Sequence, residues 1–215
     1  MDRHSRRFEN YDKMRLVMID EYSDLKPASV EPEVQAKSTF GELLSEGIKT
    51  LLLALVLYLL ISAVTDRVRV LNISMQPTLY EGELLVVNKL AYRFGGEPHR
   101  GDIIVFHHTF EPPEDYIKRV IGLPGDTVAI QDGQIFVNAQ RINEPYIAAQ
   151  PAYQGTWQVP DGNLFVLGDN RNRSSDSHVW GYVSMEEVVG RAVLIYWPLD
   201  SIRILSHDDL VQADL

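Results

Sequence analysis

The hydrophobic pattern of the chain changes character twice. Through residues 1–46 polar and acidic positions dominate, Pro27 and Pro32 interrupt the run, and apolar periodicity is weak. Such a segment cannot bury enough apolar surface to offset its ordering entropy, so it reads as an acidic, largely disordered tail with a short helix around Tyr11–Tyr22. Next comes TLLLALVLYLLISAV, Thr50–Val64, without a charge or a polar face. Roughly 20 apolar residues span a bilayer and about 17 is the short end, so the flanks must extend the helix, with Lys49 reaching along it to the interface. A core helix is the other reading, but no polar side exists to meet solvent, and residues 47–65 are assigned to one transmembrane helix. The run begins too far from the N-terminus for a cleaved leader.

Beyond residue 65 the period shortens to two. Runs rich in Val, Ile and Phe recur between turn signals: Glu83–Val87, Asp102–His107, Tyr116–Ile121, Thr127–Gln131, Gln134–Asn138, Leu164–Leu167 and Arg191–Trp197. Asp132-Gly133 between two alternating runs is a strong hairpin signal. Leu123-Pro124-Gly125-Asp126 and Pro160-Asp161-Gly162 read as turns. Ser184 followed by Glu187 has the spacing of a capping box, which predicts a short helix at Met185–Val189. Residues 66–215 are therefore expected to form a mainly antiparallel β domain.

Charge narrows the function. With 30 acidic against 20 basic residues the net charge is −10, the wrong sign for a nucleic-acid surface, which needs clustered Lys and Arg. Cysteine is absent, so thiol nucleophiles, thiolate metal sites and disulfides are excluded. His107 and His108 are neighbours on a strand and point to opposite faces, which suits neither a triad nor a shared metal. His4 and His207 lie near the ends and His99 in a Gly/Pro-rich loop, leaving His178 as the one histidine in a functional-looking stretch.

Candidate nucleophilic chemistry centres on Ser74 in LNISMQPTL, where Pro77 stiffens the chain just after it. A serine hydroxyl needs a positioned base. Besides His178 the sequence offers Lys118 in DYIKRVIGLPGD. Strand alternation sends Lys118 and Arg119 to opposite faces, so one of them can point inward. An inward lysine loses hydration, and its pKa falls toward the range of a general base. A lysine that reaches from a half-buried strand to solvent remains the alternative at this level.

Four segments in order resemble the bacterial type I signal peptidases (leader peptidases), membrane-tethered serine proteases with a Ser–Lys dyad. They are SMQPTL at Ser74–Leu79, RGDIIVF at Arg100–Phe106, YIKRVIGLPGD at Tyr116–Asp126 and GDNRNRSSDSHVWGYV at Gly168–Val183. The resemblance implies a mainly β fold, a signal-peptidase-like antiparallel β domain behind a single N-terminal transmembrane helix. It implies removal of N-terminal signal peptides from exported preproteins, with Ser74 as nucleophile and a neutral Lys118 as general base.

Other roles follow from the same likeness. The Ser74 backbone N–H is an oxyanion donor; Asn72 stands where many members carry a hydroxyl and is expected to supply its amide as the second donor. Ser174 matches the hydroxyl that orients the lysine amine. Asp169 and Asp176 are expected to be scaffold acids paired with arginine rather than with Lys118, Arg119 being the candidate for Asp169. Many members carry Arg at the place of His178, which leaves the partner of Asp176 open. Val70, Met75, Leu79, Tyr116 and Ile117 match pocket positions for small residues, so substrates are preproteins with Ala-x-Ala type sites. No metal and no cofactor is implied.

Flanking charges leave the topology open; the implied function sets residues 1–49 in the cytoplasm and the catalytic domain on the outer face of a bacterial cell membrane, anchored in the lipid bilayer. Two other classes share features with the chain. A self-cleaving SOS-type repressor has the same dyad, but would carry a DNA-binding domain instead of the membrane segment. A catalytically dead, anchored β scaffold would expose Ser74 without burying Lys118.

Overall fold

The computed structural model describes residues 40–108 and 114–205; the short helix expected at Tyr11–Tyr22 lies outside them, as do His4 and His207. The first element, α1 (Phe40–Val64), has 25 residues and none of them is buried. At 1.5 Å per residue it is about 37 Å long, against roughly 30 Å for a bilayer's hydrocarbon core, so its length and composition suit a membrane crossing. It starts at Phe40, and residues 40–46, given to the tail by composition, are helical. Glu42 lies in the first turn, where the helix dipole favours an acid, and Lys49 pairs with Glu46 at 2.9 Å one turn apart. The boundary between two compact units falls within α1, between Leu52 and Leu53.

From Thr65 onward strands dominate: β1 (Thr65–Arg69), β2 (Leu84–Asn88), β3 (Ile103–His108), β4 (Glu114–Gly122), β5 (Thr127–Gln131), β6 (Gln134–Val137), β7 (Gln140–Arg141), β8 (Gly155–Gln158), β9 (Asn163–Leu167), the single-turn α2 (Ser177–Trp180), β10 (Val183–Ser184), β11 (Val188–Trp197) and β12 (Arg203–Ile204). One sheet runs in the order β1-β2-β11-β3-β4-β9-β10, with β12 attached to β11; a second, smaller sheet has the order β7-β6-β5-β8. Every pairing is antiparallel.

Local chemistry accounts for several of these elements. The β5–β6 hairpin turns at Asp132 (φ 50°) and Gly133 (φ 75°), the pair of left-handed residues that a two-residue hairpin of matching twist requires. The capping box closes around Ser184 and Glu187, but it caps a 3-10 turn of three residues, Met185–Glu187. The helix expected through Val189 does not continue, because the β-branched Val188 already pairs with Phe106 as β11 begins. The short strands β1, β7, β8, β10 and β12 carried no alternation strong enough to be expected.

Three apolar clusters hold the domain. One joins the two sheets through Ile121, Val128, Ile130 and Phe165. A second surrounds Ile104, Phe106, Val120 and Val166. The third matters most for function: Val70, Met75 and Leu79, from the segment between β1 and β2, pack with Leu85, Ala192 and Ile195. That anchors the chain on both sides of Ser74.

Candidate active site

Ser74 lies in the 70–83 segment, whose base is tied by Val70 N–H donating to Glu83 O and Gly82 N–H donating to Val70 O, both at 2.9 Å. Met75 and Leu79 are driven inward by their apolar surface, and the Leu79 N–H donates to Met75 O at 2.8 Å, winding the chain into one tight turn. Ser74 is left at the rim of a cavity of about 190 Å³ lined by Asn72, Ile73, Ser74, Tyr116, Lys118, Arg173 and Ser175.

Lys118 comes from β4, opposite Ile104 of β3. It is 1% exposed. Its Nζ donates to Ser74 Oγ at 3.0 Å and to the Ile117 carbonyl at 3.2 Å, and the Tyr116 ring centre lies 5.3 Å away. Among the described residues no carboxylate is in hydrogen-bond contact with this amine. Burial pushes its pKa down to about 8, while the more distant charges of Asp176 and Asp169 pull the other way. A tenth or so of the amine is therefore neutral at pH 7, and half near pH 8. The alternative of a lysine reaching solvent from its strand is excluded by its burial.

Arg119 points to the opposite face and is also buried. It meets Asp169 in a two-pronged pair, Nε to Oδ1 at 2.8 Å and Nη2 to Oδ2 at 2.7 Å, and its Nη1 donates to Gly101 O at 2.9 Å. Tyr146 covers the guanidinium at 3.8 Å. Asp169 also accepts from the Thr78 hydroxyl, so this acid links β4, the 168–176 segment and the turn that carries Ser74. Asp176 has a histidine partner rather than an arginine: its Oδ1 lies 2.6 Å from His178 Nδ1, its Oδ2 accepts from Gly168 N–H at 2.9 Å, and the His178 ring stacks on Tyr153 at 3.7 Å. His178 is thus committed to Asp176, and among the described residues no histidine is a hydrogen-bond partner of Ser74.

Several side chains stand in contacts that their expected roles do not name. Asn72 does not present its amide N–H groups to the oxyanion position: its Oδ1 accepts from Ser74 N–H at 3.1 Å and from Ser74 Oγ–H at 2.7 Å. A backbone N–H can only donate, so the carbonyl oxygen of the amide turns toward it. The Ser174 hydroxyl is buried and makes no hydrogen bond among the described residues; the lysine amine spends its contacts on Ser74 and on the carbonyl of its own strand. Of the five pocket positions, Tyr116 lines the cavity, whereas Val70, Met75 and Leu79 pack beneath it in the third apolar cluster with Ile117 against them.

The sequence reading missed residues that hold the nucleophile from behind. Asn170 donates from its backbone N–H to Ser74 O at 3.0 Å and from Nδ2 to Ile73 O at 3.1 Å. Gly168 lies so close that a Cβ there would sit 2.5 Å from Ser74 O and 2.2 Å from Ser174 Oγ, which also sets Ser174 beside the backbone of the nucleophile. Glu144 forms the other end of the network, with both carboxylate oxygens on Arg171 at 2.8 and 2.6 Å. Asn170 and Gly168 lay within a quoted motif, and only their contacts reveal what they do; nothing around Glu144 marked it. Among the described residues no cluster of three or more His, Asp or Glu could hold a metal ion.

Residues 44–197 match the family described as "Signal peptidase, peptidase S26". The chain is 44% identical over 184 residues to "Signal peptidase I" of Leptolyngbya laminosa, an alignment covering 81% of this chain and 87% of that protein. It is 41% identical over 167 residues to "Probable signal peptidase I-2" of Synechocystis sp., covering 74% and 76%. A crystal structure of a signal peptidase I from Enterococcus faecalis V583 aligns with a TM-score of 0.41 and 34% identity, over 45% of this chain and 97% of that one.

Proposed function

The chain belongs to the signal peptidase family, peptidase S26, and from that premise we propose that Ser74 and Lys118 are the dyad with which it cuts preproteins. A signal peptidase is an endopeptidase that removes the N-terminal signal peptide from a preprotein, and that is the activity of this chain. The observation that carries the assignment of residues is the 3.0 Å approach of a buried amine to a serine hydroxyl, with no carboxylate among the described residues bonded to the amine.

In this reading the neutral fraction of Lys118 takes the proton of Ser74 Oγ as the oxygen bonds to the scissile carbonyl carbon. The carbonyl electrons move to oxygen, to which the Ser74 N–H can donate once it leaves Asn72 Oδ1. Collapse breaks the C–N bond, and Lys118 gives its proton to the departing amine; Lys118 then takes a proton from water as the water oxygen bonds to the acyl carbon, and returns it to Ser74 Oγ as the Oγ–acyl bond breaks. Asp169 and Asp176 keep the site in shape without touching the base. Asp169 is balanced by Arg119, and a carboxylate bonded to Lys118 would have raised its pKa instead. Ser174 contributes a buried hydroxyl to which the amine can turn once Ser74 has reacted.

Substrates are signal peptides with small residues of Ala-x-Ala type before the cut, received over Tyr116 and the apolar floor built by Val70, Met75, Leu79 and Ile117. β1 supports the mode of capture: it is an edge strand with β2 as its partner, and it leads directly into Ser74, so an extended substrate can add to it by main-chain hydrogen bonds. α1 anchors the enzyme in the lipid bilayer of the cell membrane with residues 1–49 in the cytoplasm and the β domain on the outer face, where cleavage sites emerge.

The test is cleavage of a preprotein by wild type, Ser74→Ala and Lys118→Ala. Loss of turnover in both variants is expected; equal activity in all three would end the assignment.

A further inference from the structure

Asn72 holds both groups of Ser74 that acylation must free. One oxygen, Oδ1, accepts the N–H that has to face the oxyanion and the Oγ–H whose proton has to reach Lys118. With Oδ1 turned that way, the two N–H groups of the amide are directed away from Ser74. In this arrangement Lys118 donates to Ser74 Oγ and cannot receive its proton.

We propose that the Asn72 amide is a two-position switch: in the free enzyme it is an acceptor that holds Ser74 closed, and on substrate entry it turns over and donates Nδ2–H to the oxyanion, releasing the Ser74 N–H and hydroxyl together. The proposal rests on the Ser74–Lys118 assignment. Three features permit the movement. The terminal torsion of an Asn side chain is broad and nearly two-fold, so both orientations are accessible. Asn72 is exposed, so its side chain borders solvent and not a closed core. It also lines the same cavity as Ser74, Tyr116 and Lys118, the space into which a substrate carbonyl comes. An amide has one acceptor and one donor end, and the half-turn exchanges them.

The switch has a signature in pH that a purely structural role lacks. A hydroxyl released from Asn72 donates to the lone pair of Lys118, which favours the neutral amine. The other groups around that amine are Asp169 and Asp176 from the segment after β9, His108 on β3, the Tyr116 ring and Arg173 in the cavity lining. All are the same in every variant of residue 72.

The experiment uses the full chain in detergent micelles and a fluorogenic peptide with an Ala-x-Ala site, measuring kcat, KM and the pH dependence of kcat/KM for wild type, Asn72→Ala and Asn72→Asp, with thermal unfolding as the folding control. Asn72→Ala should lower kcat about 100-fold through loss of one oxyanion donor, leave KM within about twofold, and move the ascending limb of kcat/KM to lower pH. Asn72→Asp keeps the acceptor and adds a negative charge, so kcat should fall at least as far and the limb should move to higher pH. A limb that stays put or rises in Asn72→Ala overturns the holding role; an unchanged kcat overturns the donor role. Ser74→Ala and Lys118→Ala assayed in parallel separate the two levels. If they are inactive while Asn72→Ala behaves as wild type, the switch alone fails; if they remain active, the dyad fails.

Discussion

Replacing Lys118 by Met should abolish activity and at the same time stabilise the protein. Met has a similar length and volume and no charge to desolvate, so it fits the same slot between Ser74 and β3. The magnitude follows from the shift of the amine from 10.5 to about 8. The unfolded chain holds the lysine proton up to its ordinary pKa, and the folded chain releases it near 8. Between those values the unfolded state binds more protons, so stability rises with pH. The penalty of burying the amine is complete below about pH 8 and gone above about 10.5. At about 1.4 kcal/mol per unit it amounts to roughly 3 kcal/mol. Denaturant unfolding of wild type and Lys118→Met at pH 7 and at pH 10.5, with the full chain in micelles, measures it. The variant should be more stable by about 3 kcal/mol at pH 7, with the gap closing toward the higher pH. A variant less stable at pH 7, or a gap of equal size at both, would refute the idea that the site is paid for by a dehydrated base.

The same amine sets the rate profile: kcat/KM of the wild type should climb with a midpoint near pH 8, and a flat profile between pH 6 and 9 would remove Lys118 as the titrating base. Arg119→Met leaves Asp169 buried and unpaired, so stability should fall by about 3–5 kcal/mol, whereas the double change Arg119→Met with Asp169→Leu should recover much of that loss; denaturant unfolding of the four proteins gives the coupling. Gly168→Ala pushes a carbon to within 2.5 Å of Ser74 O, so the nucleophile must shift and turnover should drop by about 100-fold with little change in secondary structure, as read by peptide cleavage and circular dichroism.

How much of this was legible beforehand differs by residue. Lys118 could be placed on a strand with Arg119 on the other face because alternation is a property of the backbone alone, and β4 keeps it. The uncharged run fixed α1 in the same way, although composition alone did not show that residues 40–46 are helical too. The Asp132-Gly133 turn was readable because two adjacent left-handed residues admit few side chains. The capping box was readable too, yet the helix behind it was not, since Val188 had a partner on β3 that no local pattern names.

The chemistry of the site divides along the same line. By itself the sequence determined which groups are present: a serine with a stiffening proline just after it, a lysine inside an apolar strand, and a motif resemblance that tied them together. Only the tertiary structure decided that β11 lies between β2 and β3, that an amine and a hydroxyl 44 positions apart meet at 3.0 Å, that His178 serves Asp176, and that Glu144 closes on Arg171. It also decided that Asn72 faces Ser74 with its oxygen and not its nitrogen. The reason is physical. Secondary-structure periodicity follows from bonds along the chain, whereas the direction of a hydrogen bond and the dryness of an amine depend on which distant segments pack around it.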